Sequence, residues 1–267
     1  MIKASTNKRR NEFMTSKIIS TTLYSPSLRL DWNYDLYFPT GYEPNQNHHG
    51  LLMLHGLYGN HTNFLDQNRI NSKKILDMQS LPKMKQYLII FIDGFNSFYL
   101  DSPYQFLMEH ALMLDLLPFL KTKYHLISLD IAGISMGGYG AARLALRFPK
   151  TFQKAGLISP AVWQIKDIPK NIKQSLHVFA DSRNNWSDEV YQNVFPIQYL
   201  NTKNKKINFL IESSKLDTTV PINDVTYFAK QLIKNGNSVK FITDNFGQHC
   251  WPYWQKAIIN IYKWILT

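Results

Sequence analysis

The stretch Leu126-Ile127-Ser128-Leu129-Asp130-Ile131-Ala132-Gly133-Ile134-Ser135-Met136-Gly137-Gly138-Tyr139-Gly140-Ala141-Ala142 decides the fold. Apolar residues dominate from Leu126 to Ala132, as expected of a strand buried on both faces. From Met136 the spacing changes: Ala141, Leu144, Ala145 and Phe148 recur at helical intervals until Pro149 stops the pattern. A buried strand therefore runs through Gly133-Ile134-Ser135-Met136-Gly137 directly into a helix. In that setting a G-x-S-x-G turn is so tight that the serine hydroxyl stands clear of the backbone, beside free N–H groups and the positive end of the helix. Ser135 is the candidate nucleophile, and the Met136 N–H is a candidate donor to a developing oxyanion.

Working outward, short apolar runs recur at 51–54, 87–92 and 207–211, with a weaker one at 239–242. Helical patterns lie at 104–120, 136–148, 224–234 and 254–266. Strands buried on both faces and alternating with helices predict one α/β domain with a mostly parallel sheet and helices on both faces. Near the start, Leu28, Leu30, Trp32, Tyr34, Leu36 and Phe38 alternate with Arg29, Asp31, Asn33 and Asp35. This predicts a half-buried strand after the Ser25-Pro26-Ser27 turn, within an antiparallel N-terminal hairpin. Residues 1–16 read as a disordered basic tail, with Met14 as an alternative start, and 17–267 as the domain. Residues 160–206 fit the alternation poorly and read as a small cap or a structural insertion.

Composition bounds the classes. The 267 residues are 45% hydrophobic and 18% charged, which suits a large packed core and excludes a disordered chain. The formal net charge is +11, but no long basic run appears beyond the first residues, so a solvated basic surface is expected and no nucleic-acid partner. No apolar run is long enough to span a bilayer, and no secretory h-region is visible. Cys250, the single cysteine, allows no internal disulfide. No ligand spacing suggests a metal, and no dinucleotide fingerprint stands apart from the turn at Ser135, so no cofactor is expected.

A serine hydroxyl needs a base. After Ser135 only His177 and His249 remain. His177 falls in the irregular stretch, whereas His249 follows the 239–242 strand in a loop, where α/β sites form. His249 is thus the expected base. The acid expected after the 207–211 strand has three candidates, Glu212, Asp217 and Asp224; the loop position of Asp217 favours it. A second oxyanion donor is expected after an early strand, and His55-Gly56-Leu57-Tyr58-Gly59 offers the Leu57 N–H, with His55 as a buttress of the loop. Phe98, Tyr99, Trp163 and Trp251 are the expected walls of a small apolar substrate pocket. Cys250 beside His249 is an alternative nucleophile, disfavoured because sequence neighbours seldom have the geometry for nucleophile and base.

Gly133-Ile134-Ser135-Met136-Gly137-Gly138-Tyr139-Gly140, His55-Gly56-Leu57, the Asp217 loop, Gly247-Gln248-His249-Cys250-Trp251-Pro252-Tyr253-Trp254 and Asp31-Trp32-Asn33-Tyr34-Asp35-Leu36-Tyr37-Phe38-Pro39 together resemble the esterase D family of serine hydrolases, with the bacterial tributyrin esterases nearest in character. The resemblance runs from residue 17 over nearly the whole chain. It implies an α/β-hydrolase fold and a cytoplasmic carboxylesterase for short acyl chains. It also implies a Ser135–Asp217–His249 triad with Leu57 and Met136 as oxyanion donors. The expected partner is a small-molecule ester, and a homo-oligomer is compatible with the reading. S-formylglutathione hydrolases belong to the same family and share Phe98-Tyr99-Leu100-Asp101-like residues. Many of them carry a cysteine where this chain has Gly59, which weakens a glutathione-thioester role. Acyl transfer on the same triad and a non-catalytic scaffold binding a polyanion are the other readings.

Overall fold

The computed structural model describes residues 14–79, 81–102, 106–200 and 206–267. Most of the expected basic tail, residues 1–13, and the first two residues of the expected 104–120 helix lie outside the described residues. The chain opens with an antiparallel hairpin, β1 (Lys17–Ser25) and β2 (Leu30–Phe38), followed by β3 (His48–Leu54). A short helix α1 (Ser72–Asp77) leads to β4 (Tyr87–Ile92). Then come α2 (Met108–His110) and α3 (Leu117–Lys123), β5 (Leu126–Ile134), α4 (Met136–Arg147) and β6 (Phe152–Ile158). Short helices α5 (Lys170–Ser175) and α6 (Asp188–Val194) precede β7 (Asn208–Ser214), α7 (Ile222–Lys234), β8 (Ser238–Asp244) and α8 (Trp251–Ile265).

The eight strands form one sheet in the order β1-β2-β4-β3-β5-β6-β7-β8. β2 meets β4 antiparallel, and every pairing from β4 to β8 is parallel. The expected mostly parallel sheet with an antiparallel N-terminal hairpin is therefore what forms. Chain order reverses at β3, which has β4 on one side and β5 on the other. Such a reversal brings the loops after two neighbouring strands together at their carboxyl ends.

Helices cover both faces. Tyr139, Leu144, Val225 and Phe228 from α4 and α7 join one apolar cluster, with Leu52, Ile131 and Phe209 of the sheet. Tyr253, Ile258, Ile261 and Ile265 from α8 join another on the opposite face, with Met53, Ile134 and Leu210. α4 is also tied to α2 by a buried pair, Arg143 to Glu109.

Three expectations change. β2 is half-buried only at its start, because Asp35 on its expected polar face is as buried as Leu36. The expected 104–120 helix is helical from Met108, with π-helical turns at Ala111–Leu116. Pro118, in the first turn of the next α-helical stretch, has no N–H to donate, which favours such a local register change. β6 was not among the expected strands. Its Gly156 lies beneath α8, where a Cβ would stand 2.6 Å from Ile261 Cγ2.

Candidate active site

Ser135 sits between β5 and α4 at φ 56° and ψ −114°, a costly conformation for a residue with a side chain. Three backbone hydrogen bonds hold it there. Its N–H donates to the Ile158 carbonyl at 2.9 Å, and its carbonyl accepts from Tyr139 and Ala161, both at 3.0 Å. The glycines around it leave no room for a Cβ. At Gly133 a Cβ would collide with the Gly137 carbonyl, and at Gly137 with the Leu54 carbonyl. The start of α4 is thereby pressed against the end of β3.

The structure brings the three residues expected to act together into one chain of hydrogen bonds. Ser135 Oγ lies 2.7 Å from His249 Nε2, and His249 Nδ1 lies 2.7 Å from Asp217 Oδ2. A carboxylate only accepts, so Nδ1 carries the proton and Nε2 has a lone pair facing the serine hydroxyl. The other Asp217 oxygen accepts from the Thr219 N–H at 2.9 Å and the Val220 N–H at 2.8 Å. These bonds fix the acid in its loop. The loop is braced in turn by the Trp163 indole, which donates to the Thr219 carbonyl at 2.7 Å.

His249 is positioned from two directions. Ser214 Oγ at the end of β7 donates to the Gly247 carbonyl at 2.7 Å. The Trp254 ring stands edge-on to the imidazole at 5.0 Å. The imidazole remains partly open to solvent, with 13% of its side chain exposed, while the Asp217 side chain has none. Asp217 therefore sits behind a histidine that solvent and small molecules can reach.

The other acid candidates point elsewhere. Glu212 takes both its carboxylate contacts from Asn260 on α8, at 3.0 Å each. Burial pushes its carboxyl up to about 7 despite the Asn260 hydrogen bonds, with nearby Asp244 adding to the rise. Asp224 is buried on α7 and accepts from Gln164 at 2.8 Å. Burial, with help from Asp167 nearby, raises its carboxyl as well. His177 is bonded to Asn184 and lies apart from this chain. Cys250 is the N-cap residue of α8.

The loop after β3 runs beside Ser135. A Cβ built on Gly56 would stand 3.5 Å from the Ser135 Cβ. Met136 is the first residue of α4, so its N–H has no intrahelical acceptor. The N–H of Leu57 donates to no acceptor among the described residues. The peptide groups around Leu57 are engaged: the Gly56 carbonyl accepts from Gly59, and the Tyr58 N–H donates to Asn96 Oδ1 at 2.8 Å.

The expected pocket changes most. Phe98 and Tyr99 are fully buried and offer no surface to a ligand. The Tyr99 ring fills a slot that exists because residues 94 and 140 are glycines, and its hydroxyl donates to the His55 carbonyl at 3.1 Å. Phe98 packs between Tyr139 and Phe179. Trp163 is nearly buried and braces the Asp217 loop. Trp251 alone of the four is half-buried, edge-on to Trp254 at 4.9 Å and with the Arg69 guanidinium over its ring.

Sequence reasoning missed the supporting residues: Thr219, Val220, Trp254 and Asn96. The first two were signalled by Asp217-Thr218-Thr219, a sequence suited to an Asx-type turn. Trp254 stood in the stretch that carries the resemblance but with no role given to it, and Asn96 had no local signal. Among the described residues no group of histidine, cysteine and acidic side chains could hold a metal ion, and no helix is long and apolar enough to cross a membrane.

This geometry agrees with what the chain is similar to. An acetyl esterase of Caldicellulosiruptor saccharolyticus is 26% identical over 231 residues, which cover 80% of this chain and 82% of the relative. The substrate-bound fluorophosphonate-binding serine hydrolase F of Staphylococcus aureus superposes with a TM-score of 0.75 at 19% identity, covering 95% of this chain and 99% of the other. The S-formylglutathione hydrolase of the same organism superposes with a TM-score of 0.72 at 19% identity, covering 94% and 99%. These last two likenesses establish the fold. The model of the "Putative esterase" family matches residues 25–265. The chain belongs to this esterase family and has the fold of the α/β-hydrolase serine hydrolases.

Proposed function

We propose that the protein is a serine carboxylesterase for short-chain acyl esters, with Ser135 as nucleophile, His249 as base and Asp217 as the acid that orients it. The observation that carries this reading is the unbroken Ser135–His249–Asp217 hydrogen-bond chain, with 2.7 Å at each link. Ser135 Oγ attacks the ester carbonyl carbon as its proton passes to His249 Nε2, and Asp217 stabilises the imidazolium. The Leu57 and Met136 N–H groups receive the oxyanion, beside the N-terminus of α4. Collapse expels the alcohol, which takes the proton from His249. Water then repeats the sequence on the acyl-enzyme and releases the acid.

The acetyl esterase relative supports a small acyl group, and Trp251 is the aromatic that we assign to the mouth of the pocket. Residues 160–206 are read as a cap: Trp163 braces the Asp217 loop, and the Tyr58 hydroxyl lies 3.4 Å from Ser175 Oγ of α5. A thioester such as S-formylglutathione ranks second. A side chain at Gly59 would run into Asn63, so the cysteine common in those hydrolases has no place here without rearrangement. A cytoplasmic setting fits a chain with one cysteine, and a homo-oligomer is testable by light scattering.

Ser135→Ala should lower turnover of p-nitrophenyl acetate at least ~10⁴-fold and abolish fluorophosphonate labelling, with the melting temperature retained. Labelling that persists at another residue overturns the assignment. Rates on p-nitrophenyl esters from acetate to octanoate should fall with chain length; a maximum at octanoate contradicts the short-chain reading.

A further inference from the structure

The buried ring of His55 is committed through both nitrogens, and neither contact belongs to the triad. Nδ1 lies 2.7 Å from the carbonyl of Gly56, and Nε2 accepts the Gly94 N–H at 2.8 Å. A carbonyl can only accept, so the Nδ1 proton points at Gly56 whatever the charge of the ring. Asp93 Oδ1 stands 3.5 Å from Nε2, outside that pair of contacts. The same Gly56 carbonyl accepts from the Gly59 N–H at 3.1 Å, so both of its lone pairs are engaged.

The peptide joining Gly56 to Leu57 is planar and trans, which sets its C=O and N–H on opposite sides. Fixing the Gly56 carbonyl therefore fixes the direction of the Leu57 N–H. The next peptide is fixed too, through the Tyr58 N–H on Asn96. Tyr58 itself has φ 60°, a conformation that needs such support. Between these two tethers, the Leu57 N–H is left without a protein acceptor among the described residues.

Gly59 carries an independent sign of the same arrangement. Its φ lies outside the left-handed region, so backbone torsion does not demand glycine there. Space does. A Cβ at 59 would stand 2.9 Å from the Gly56 carbonyl oxygen and 2.9 Å from His55 Nδ1, the two atoms of the contact in question, and would collide with Asn63 Oδ1.

We propose that His55 is a positioning residue whose Nδ1–H latches the Gly56–Leu57 peptide with its N–H turned toward Ser135, so that the oxyanion hole is formed before substrate arrives. The proposal rests on the reading of Leu57 as an oxyanion donor. A flipped peptide would present a carbonyl oxygen to a developing negative charge, so the latch acts on the transition state and leaves ground-state binding nearly alone.

Two isosteric substitutions separate a latch from packing. The Nδ2 of asparagine overlays imidazole Nδ1 and keeps the donor to Gly56. The glutamine amide reaches the position of Nε2, keeps the Gly94 contact and loses that donor. His55→Gln should lower kcat on p-nitrophenyl acetate by ~10²-fold with KM within about threefold, whereas His55→Asn should stay within about tenfold of the parent. A role in packing alone ranks them the other way, because glutamine fills more of the buried site.

Gly59→Ala lies on the open loop and decides the matter if the His55 variants fail to fold. Its kcat should fall at least ~10-fold at an unchanged KM. Equal or better turnover by His55→Gln than by His55→Asn, or an unaltered kcat in Gly59→Ala, overturns the latch. Ser135→Ala measured alongside separates the two levels. If it turns over like the parent, the assignment of Ser135 as nucleophile is wrong. If it is inactive while the glutamine variant keeps the parent kcat, only the latch is.

Discussion

The turn at Ser135 and the segment from Ser159 to Leu200 touch each other, yet they are held by opposite means. The turn is fixed by side chains that are missing: Gly133, Gly137 and Gly138 let backbone press on backbone, and Pro160 of the neighbouring segment packs onto Gly138. The segment is fixed by large rings. Phe179, Tyr191 and Phe195 pack their rings against Tyr139 of α4, Trp186 packs against Phe179, and the Tyr191 hydroxyl donates to the Trp163 carbonyl at 2.9 Å. Backbone packed directly on backbone has little room to shift, so a group placed this way is held to a narrow geometry. Stacked rings contribute cohesion over a broad area and tolerate small shifts. Variants on the first side should therefore act on rate, and variants on the second on stability.

The largest effect expected after loss of Ser135 is in Asp217→Asn. An amide that keeps the Thr219 and Val220 N–H contacts on its oxygen presents NH₂ to His249 and favours the wrong tautomer. The kcat should drop ~10⁴-fold, equivalent to about 5 kcal/mol, with little change in melting temperature. A drop under about tenfold breaks the role given to this loop.

Phe179→Ala comes next, on the other side. It should cost about 3–5 kcal/mol in urea unfolding, because it empties a fully buried aromatic site. Its kcat should change less than that of any variant in the turn at Ser135; if rate falls more than stability, the division between the two regions is wrong.

Gly137→Ala should lower kcat ~10²-fold, about 3 kcal/mol, because the added Cβ must push α4 off the Leu54 carbonyl and displace the serine. Steady-state kinetics with a matched melting curve checks this. A wild-type kcat would mean that the close approach is incidental.

The smallest effect concerns Glu212, whose backbone carbonyl accepts the Ser159 N–H at 2.9 Å where the two regions join. Burial holds its carboxyl at about 7, whereas an unfolded glutamate releases its proton near ~4.3. Between those values the folded state binds more protons, so stability falls as pH rises through that window. Glu212→Gln should flatten this slope and gain on the order of 2 kcal/mol above about pH 7. Urea midpoints at acid and mildly alkaline pH test it; an equal slope in both proteins rules it out.

The same contrast explains what could be read from residues alone. The turn at Ser135 was legible because close backbone contact demands glycine, and glycine on both sides of a serine is a local pattern. The strand Tyr87–Ile92 was read to the residue, since a run buried on both faces has no polar member. β6 was hidden because Gln153 and Lys154 follow its first residue and Gly156 interrupts it, for reasons of packing against α8 that no local pattern reveals. Asp35 looked solvent-facing because alternation cannot report a second layer laid over a strand. The inward placement of Tyr99 depends on glycines at 94 and 140, one of them across the fold, and that of Phe98 on the rings of Tyr139 and Phe179. The segment after Ser159 has neither strand nor helical periodicity over most of its length, so its aromatic residues carried no sign of what they pack against.

The hydrogen bond between Ser135 and His249 joins residues 114 positions apart. β8 must be zipped to β7 and α8 seated on the sheet before the imidazole can reach the hydroxyl. A ribosome-bound chain that has reached α4 already carries Ser135, but the proposed triad stays incomplete until the last two elements are in place. Recovery of turnover after dilution from denaturant should therefore lag the return of secondary structure, making catalysis a clock for the final stage of assembly.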